Sequence, residues 1–310
     1  MRTLPVIEAE QFQVPDRFVS TLTEYCAAEH DRARALGVGV PFESEDGQEV
    51  LALAVAAYWP SLFELARLVR DMVGLDPGCV VLRGLGFNRY PRHVRDSLVL
   101  ALTAAIGKPT DHNADKRVLW PVSPRDMGSN YRTTFSEEAG EAPLHSDSAF
   151  APDPEKFGCL YVVREAEDGG GLSVLVNVRR VVADLATTEA GRECLTILRD
   201  REFPFWVPDA FFKDERIVLA PILGERPLIR FRYDSLMNGF ELRSDLRTNE
   251  RLWAIEHFRV AAGECQTRIT FALRRGEALI FDNHNLLHAR TNFTDPDRLL
   301  IRVRMHALAA

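Results

Sequence analysis

Residues 143–150 read Pro-Leu-His-Ser-Asp-Ser-Ala-Phe and set His145 and Asp147 two positions apart. On a β-strand, positions i and i+2 project from one face. The two side chains can therefore enter one cavity, where an imidazole and a carboxylate together suit a divalent cation. The same spacing also describes a hydrogen-bonded polar edge on a sheet, so a third ligand is needed to decide. The chain has eight histidines. His30, His93 and His112 lie in or beside a helical N-terminal part, and His257 falls on a predicted helix. His284, His288 and His306 remain, the first two within Gly-Glu-Ala-Leu-Ile-Phe-Asp-Asn-His-Asn-Leu-Leu-His-Ala-Arg-Thr-Asn-Phe at 276–293.

Two histidines and a carboxylate on one face make the open triad of non-haem iron(II) oxygenases. Three protein ligands hold the ion and three positions stay free for a chelating cosubstrate and dioxygen. A second cluster of chemistry-bearing residues lies at 298–306, Arg-Leu-Leu-Ile-Arg-Val-Arg-Met-His. Period two puts Arg298, Leu300, Arg302, Arg304 and His306 on one face, and Leu299, Ile301, Val303 and Met305 on the other. A guanidinium binds a carboxylate through two parallel hydrogen bonds, which lysine cannot do. The face could be a basic cavity wall, with Arg304 expected to reach solvent more than Arg298. The three glycines at 169–171 are followed by a strand and no Gly-Lys-Ser/Thr, so a tight turn is expected there and not a phosphate loop.

These residues need a scaffold, and the chain supplies one. Its 310 residues, 46% hydrophobic and 27% charged, have the composition of a soluble globular protein. The net charge of −7 argues against a nucleic-acid partner. Five scattered cysteines without a Cys-x-x-Cys indicate reduced thiols and a cytoplasmic location. No signal peptide or membrane span is expected; Val50–Trp59, the most apolar run, is stopped by Pro60 and reads as a buried helix. Residues 1–115 read as mostly helical, with Gly37 closing one helix, another covering about 61–73, and a third opened by Pro91 and closed by Gly107. Cys79–Leu82 is the strand in this part. From 116 onward short strands dominate, at 118–122, 144–150, 159–163, 172–176, 268–273, 278–281 and 298–306, with helical interludes near 178–198 and 246–262. The polar stretch 123–142 could be a lid. The expectation is one domain, residues 1–310, mainly β with flanking helices (α+β), built on a jelly-roll core at 116–310 that carries the metal site.

Four pieces, Leu-His-Ser-Asp at 144–147, Gly-Gly-Gly-Leu-Ser-Val-Leu-Val-Asn at 169–177, Phe-Asp-Asn-His-Asn-Leu-Leu-His-Ala-Arg at 281–290 and Asp-Arg-Leu-Leu-Ile-Arg at 297–302, occur in the order found in one enzyme family. Over roughly 79–306 the chain resembles the taurine dioxygenase / clavaminate synthase-like branch of the iron(II)/2-oxoglutarate-dependent dioxygenases. The resemblance implies a double-stranded β-helix core, with His145, Asp147 and His288 as ligands of Fe(II) and His284 as the rival for the distal position. It implies that Ser173 and Arg298 hold 2-oxoglutarate; the alternation along 298–306 adds Arg302 on the same face, toward cosubstrate or substrate. Asn130, Arg132, Thr134 and Asp234 fall in segments that border the substrate in similar enzymes. The implied reaction consumes O2 and 2-oxoglutarate, releases succinate and CO2, and hydroxylates an unactivated C–H bond. Asp147 disfavours halogenation, since halogenases of this class replace the carboxylate. The implied substrate is a free or carrier-tethered amino acid, as in antibiotic pathways. Alternatives are a sulfonate or other small acid, and desaturation or rearrangement in place of hydroxylation. Loss of any of His145, Asp147, His288 or Arg298 would favour a non-catalytic jelly-roll binding protein, and all four are present; a metal hydrolase would give Arg298 and Ser173 no role.

Overall fold

The computed structural model describes residues 4–111, 117–125, 135–211, 216–224 and 228–308. Its elements follow in chain order. The N-terminal part contains β1 (Val6–Glu8), α1 (Asp16–Ala28), α2 (His30–Ala35), α3 (Glu45–Tyr58), α4 (Ser61–Gly74), β2 (Cys79–Arg83), α5 (Arg92–Ile106) and β3 (Lys108–Pro109). The middle carries β4 (Trp120–Val122), β5 (Ala142–His145), β6 (Phe157–Arg164), β7 (Ser173–Asn177), α6 (Val178–Leu185) and α7 (Glu189–Asp200). After these come β8 (Phe203–Trp206), β9 (Ile217–Ala220), α8 (Tyr233–Leu242), α9 (Asn249–Gly263), β10 (Ile269–Phe271), β11 (Ala278–Asp282), β12 (Leu286–Arg290) and β13 (Leu299–His306).

Two sheets face each other. The larger runs β1-β2-β11-β6-β13-β3, with β4 also paired to β13, and the smaller runs β10-β7-β12-β5. They form the expected jelly-roll sandwich without closing into a barrel. Because side chains alternate along a strand, each central strand serves two cores. Val80, Leu82, Ile280, Ile301, Val303 and Met305 pack outward under α1, α3, α4 and α5. Cys79, Val81, Leu279, Phe281, Leu286 and Leu300 fill the space between the sheets. Outside the smaller sheet, Val176 and Leu287 pack with residues of α6 to α9 and the β8–β9 hairpin. Strands covered on both faces read as continuous apolar runs, which is why Cys79–Leu82 and Ala278–Phe281 show no alternation.

Helix-forming signals behave largely as expected. Gly37 adopts a left-handed φ of 72° past α2, and Pro91 stands at the N-cap of α5. Two expectations need correction. The run at 50–59 is not buried throughout: Leu51, Ala54 and Val55 enter the core while Leu53 is 73% exposed, because α3 touches the protein along one side only. The run at 144–150 is not all strand: β5 ends at His145 and residues 147–150 form a turn. The interlude near 178–198 splits into α6 and α7, each N-capped by a side chain, Asn177 and Thr188. Buried Glu43 joins the helical part to β4, its carboxylate accepting from the N–H groups of Gly39, Val40, Val118 and Leu119. Among the described residues, no single helix is long and apolar enough to cross a membrane.

Candidate metal and cosubstrate site

The site lies between the sheets, where β5 and β12 pair. His145 and His288 are register partners across that ladder, so their rings meet with centroids 4.2 Å apart. Asp147 approaches from the turn after β5. One ligand atom from each of His145, Asp147 and His288 falls within 4.8 Å of the others. Both Asp147 and His145 are buried, and Asp147 Oδ1 is 4.0 Å from His288 Nε2. His145 Nδ1 donates to the Pro143 carbonyl at 2.7 Å, which fixes the tautomer and leaves Nε2 as a lone pair for a metal. Phe281 backs His288, centroids 4.8 Å apart. Gly158 makes room for that ring, since a Cβ there would come within 2.2 Å of it.

Electrostatics keep the three groups in ligand form. Burial lowers the pKa of His145, with neighbouring His288 adding to the effect, and burial also lowers that of His288. Burial opposes ionisation of Asp147, yet Arg302 and further positive neighbours outweigh it and hold the carboxyl well below the usual range. Arg302 Nη1 donates to Asp147 Oδ1 at 3.1 Å. Asp147 Oδ2 is buried with no hydrogen-bond partner. A buried carboxylate oxygen without a partner is costly, and it stands where a cation would satisfy it. The donor set, two neutral imidazoles and a carboxylate, fits ferrous iron.

Next to the triad is a cavity of about 60 Å³, lined by Leu160, Ser173, His288, Arg290, Arg298 and Arg302 among others. Arg298 is 5% exposed. Its guanidinium makes one long bond to the Gly171 carbonyl, 3.5 Å, and lies 4.8 Å from the centroid of the Phe293 ring. Its Nη1 is buried without a partner. Burial, then Arg290, pull its pKa from 12.5 down to about 10. Gly171, with φ 67°, belongs to the turn before β7, and a Cβ there would meet Arg298 Nε at 2.8 Å. The glycine-rich turn thus seats the arginine.

A larger open cleft of about 850 Å³ reaches His145 and Phe135 and is bordered by Phe231, Tyr233, Asp234 and Arg259. Asp234 sits on this wall and accepts from Arg232 at 3.0–3.2 Å. The Arg232 guanidinium lies 4.6 Å from the centroid of the Phe135 ring.

His284 does not join the triad; its Nε2 meets the Pro154 carbonyl at 2.9 Å. His306 faces Asp153. Arg304 corrects the expectation of a solvated side chain: it is buried, bonded to Ser148 Oγ and 3.7 Å from Glu155. Loop 147–156, which supplies these partners, folds over that end of β13. Asn130, Arg132 and Thr134 lie outside the described residues, as does much of the 123–142 stretch. Sequence reasoning assigned no role to three residues that build the site. Arg290 donates to the carbonyls of Phe135, Glu138 and Gly140. Arg230 donates to Ala149, Ala151 and Pro152, and Asn283 binds the main chain of Asp147. Asn283 and Arg290 stand within the 281–290 motif, but the partners of all three are carbonyls and amides that carry no sequence signal.

A jelly roll with a two-histidine, one-carboxylate cluster between its sheets and a buried arginine beside it defines a class of non-haem oxygenase scaffolds. Family comparison narrows the class. Residues 54–304 match the family "Taurine catabolism dioxygenase TauD, TfdA family", and the chain belongs to it. An L-lysine 3-hydroxylase of Catenulispora acidiphila is 28% identical over 195 residues, which are 58% of this chain and 49% of the relative. The chain therefore spans about half the length of this curated relative in the matched region. Among solved structures, asparagine oxygenase in complex with Fe(II), 3-hydroxyasparagine and succinate superposes with TM-score 0.74 at 20% identity, covering 98% of this chain and 94% of that one. The non-haem iron oxygenase OrfP with Fe and α-ketoglutaric acid gives TM-score 0.58 at 19% identity, covering 87% and 94%. These likenesses establish a shared fold.

Proposed function

We propose that this protein is an Fe(II)/2-oxoglutarate-dependent oxygenase that hydroxylates an unactivated C–H bond of an amino acid or amino-acid derivative, releasing succinate and CO2. The observation that carries the reading is the convergence of unpartnered buried polar atoms on one small cavity. Asp147 Oδ2, Arg298 Nη1, Arg290 Nε and Arg302 Nε all lack partners, and their side chains surround or adjoin the space beside His288. Ligand-free proteins rarely leave so many such atoms together. A cation at the triad would partner Asp147, and a dicarboxylate with one end toward the metal would present its other end to Arg298 and Ser173.

When bound, iron and 2-oxoglutarate would supply the oxidising chemistry. The chain's own residues do the rest. His145, Asp147 and His288 would hold the ion. Arg298 would orient the cosubstrate, and the rings of Phe281 and Phe135 pack against His288 and His145. Asp234, Arg259 and Arg268 on the cleft wall present both charge signs to an entering zwitterion. The amino-acid substrate class is supported by the hydroxylated amino acids named for the asparagine oxygenase and OrfP complexes and by the lysine hydroxylase relative. The reading takes residues 1–310 as one working domain and the enzyme as cytoplasmic, its five buried thiols free.

The test is an anaerobic titration of metal-free protein with Fe(II) and 2-oxoglutarate, followed by a screen of free and carrier-tethered amino acids read by succinate release. A visible charge-transfer band is expected, lost in His288→Ala and kept in His284→Ala. Intact protein that forms no band would sink the proposal.

A further inference from the structure

Asp147 differs from the two histidines in how its backbone is held. His145 and His288 sit in a ladder, but Asp147 lies beyond the end of β5 in a turn whose next residue, Ser148, adopts φ 54°. A non-glycine residue there is unfavourable by itself, so the turn depends on bonds from outside. Most of them on Asp147 come from one side chain. Asn283 Oδ1 accepts from the Asp147 N–H at 2.8 Å, and Asn283 Nδ2 donates to the Asp147 carbonyl at 3.1 Å. The same nitrogen donates to the Glu155 carbonyl at 2.9 Å, at the far end of the loop. Asn283 is 1% exposed, and its own N–H donates to Lys156 at 2.9 Å. Its amide pairs with Asp147 as a residue of a neighbouring strand would. It also opens the β11–β12 turn, five residues before His288.

We propose that Asn283 is a positioning residue: its amide clamps both main-chain groups of Asp147 and so fixes the carboxylate relative to His145 and His288 before any metal arrives. Asparagine is the side chain this task requires. Only a primary amide offers an acceptor and two donors in one plane. The aspartate isostere would keep the acceptor but turn a carboxylate oxygen toward two carbonyls.

The inference rests on the metal assignment above, and the experiment separates the two. Full-length metal-free protein is titrated with Co(II), read by chelator competition and by the visible spectrum of the bound ion. Wild type that binds no Co(II) overturns the metal assignment itself. With wild type binding, Asn283→Ala should weaken Co(II) about 10- to 100-fold, the range for loss of a residue that orients a ligand, and should alter the spectrum. Asn177→Ala is the structural control, because Asn177 makes the same kinds of bond to Asp76, Pro77 and Arg179. It should lower the melting temperature and keep the wild-type Co(II) affinity. If Asn283→Ala does not fold, Asn283→Asp replaces it, with at least a tenfold weakening expected. An affinity within twofold of wild type in the folded Asn283 variant, or an equal loss in Asn177→Ala, overturns the proposal.

Discussion

Replacing Arg298 by glutamine should move stability and binding in opposite directions. The ligand-free protein holds this guanidinium buried, with one 3.5 Å bond to Gly171 and the Phe293 ring as its neighbours. Bringing an arginine from 12.5 to about 10 corresponds to roughly 3 kcal/mol of unfavourable free energy in the charged form. The sign follows from linkage: the folded state prefers the neutral base, so the penalty is fully present below pH 10 and fades only as pH rises through 10 toward 12.5. At pH 7.5 the neutral glutamine escapes it. Lost packing against Phe293 takes back some of the gain. At about 2 °C per kcal/mol for a chain of this size, the metal-free melting temperature should rise by about 2–5 °C. Binding should suffer, because removing one partner of a buried charge pair costs about 2–5 kcal/mol, or roughly 30- to 4000-fold in 2-oxoglutarate affinity. Wild type saturated at one hundred times its Kd should gain about 2.7 kcal/mol from the cosubstrate, and the variant at that concentration no more than about 0.9 kcal/mol. Differential scanning fluorimetry with and without Fe(II) and 2-oxoglutarate reads both effects. A variant that melts lower than wild type yet retains its cosubstrate shift would refute the reasoning on both counts.

Gly158→Ala should cost about 1–3 kcal/mol by overpacking, since the new methyl meets Phe281 at 2.2 Å. The displaced ring backs His288, so metal affinity should fall with the melting temperature; an unchanged melt would show that Phe281 has room to move. The five cysteines should be inert in the native protein at pH 8, because all are buried. Burial pushes Cys79 and Cys159 up to about 12 and Cys194 to about 11. A thiol-disulfide reagent should count none within minutes and five after denaturation, and rapid labelling of several native thiols would contradict the packing.

The residues that gather at this site were more legible in the sequence than the architecture that gathers them. His145 and Asp147 announce themselves through local spacing, and His288 through the pieces that flank it. The jelly roll follows from many short apolar strands, but the division into outward and inward cores does not, because β2 and β11 are apolar on both faces and only β13 alternates. What stayed hidden was decided between distant segments. The end of β5 depends on a side chain 136 residues away, so an unbroken strand was the natural reading of 144–150. Arg304 reads as a surface charge until loop 147–156 supplies Glu155 and Ser148. The ten-residue apolar run of α3 reads as buried because hydropathy records composition and not which side a neighbour occupies. Strand β8, Phe-Pro-Phe-Trp, contains a proline that argues against strand pairing, and the sequence reading passed over its hairpin with β9.

Strand β12 lies between β7 and β5, pairing His288 with His145 on one side and Arg290 with Ser173 on the other. One ribbon of five residues therefore sets both the end of the cavity proposed for the metal and the end proposed for the cosubstrate. A slip by a single residue would turn His288 and Arg290 out toward the helices and bring Leu287 and Ala289 in. No half-functional register exists between these two arrangements. A heterogeneous preparation would thus behave as a mixture of competent and silent molecules, its metal stoichiometry and turnover falling in proportion while the KM for 2-oxoglutarate stays that of the competent fraction.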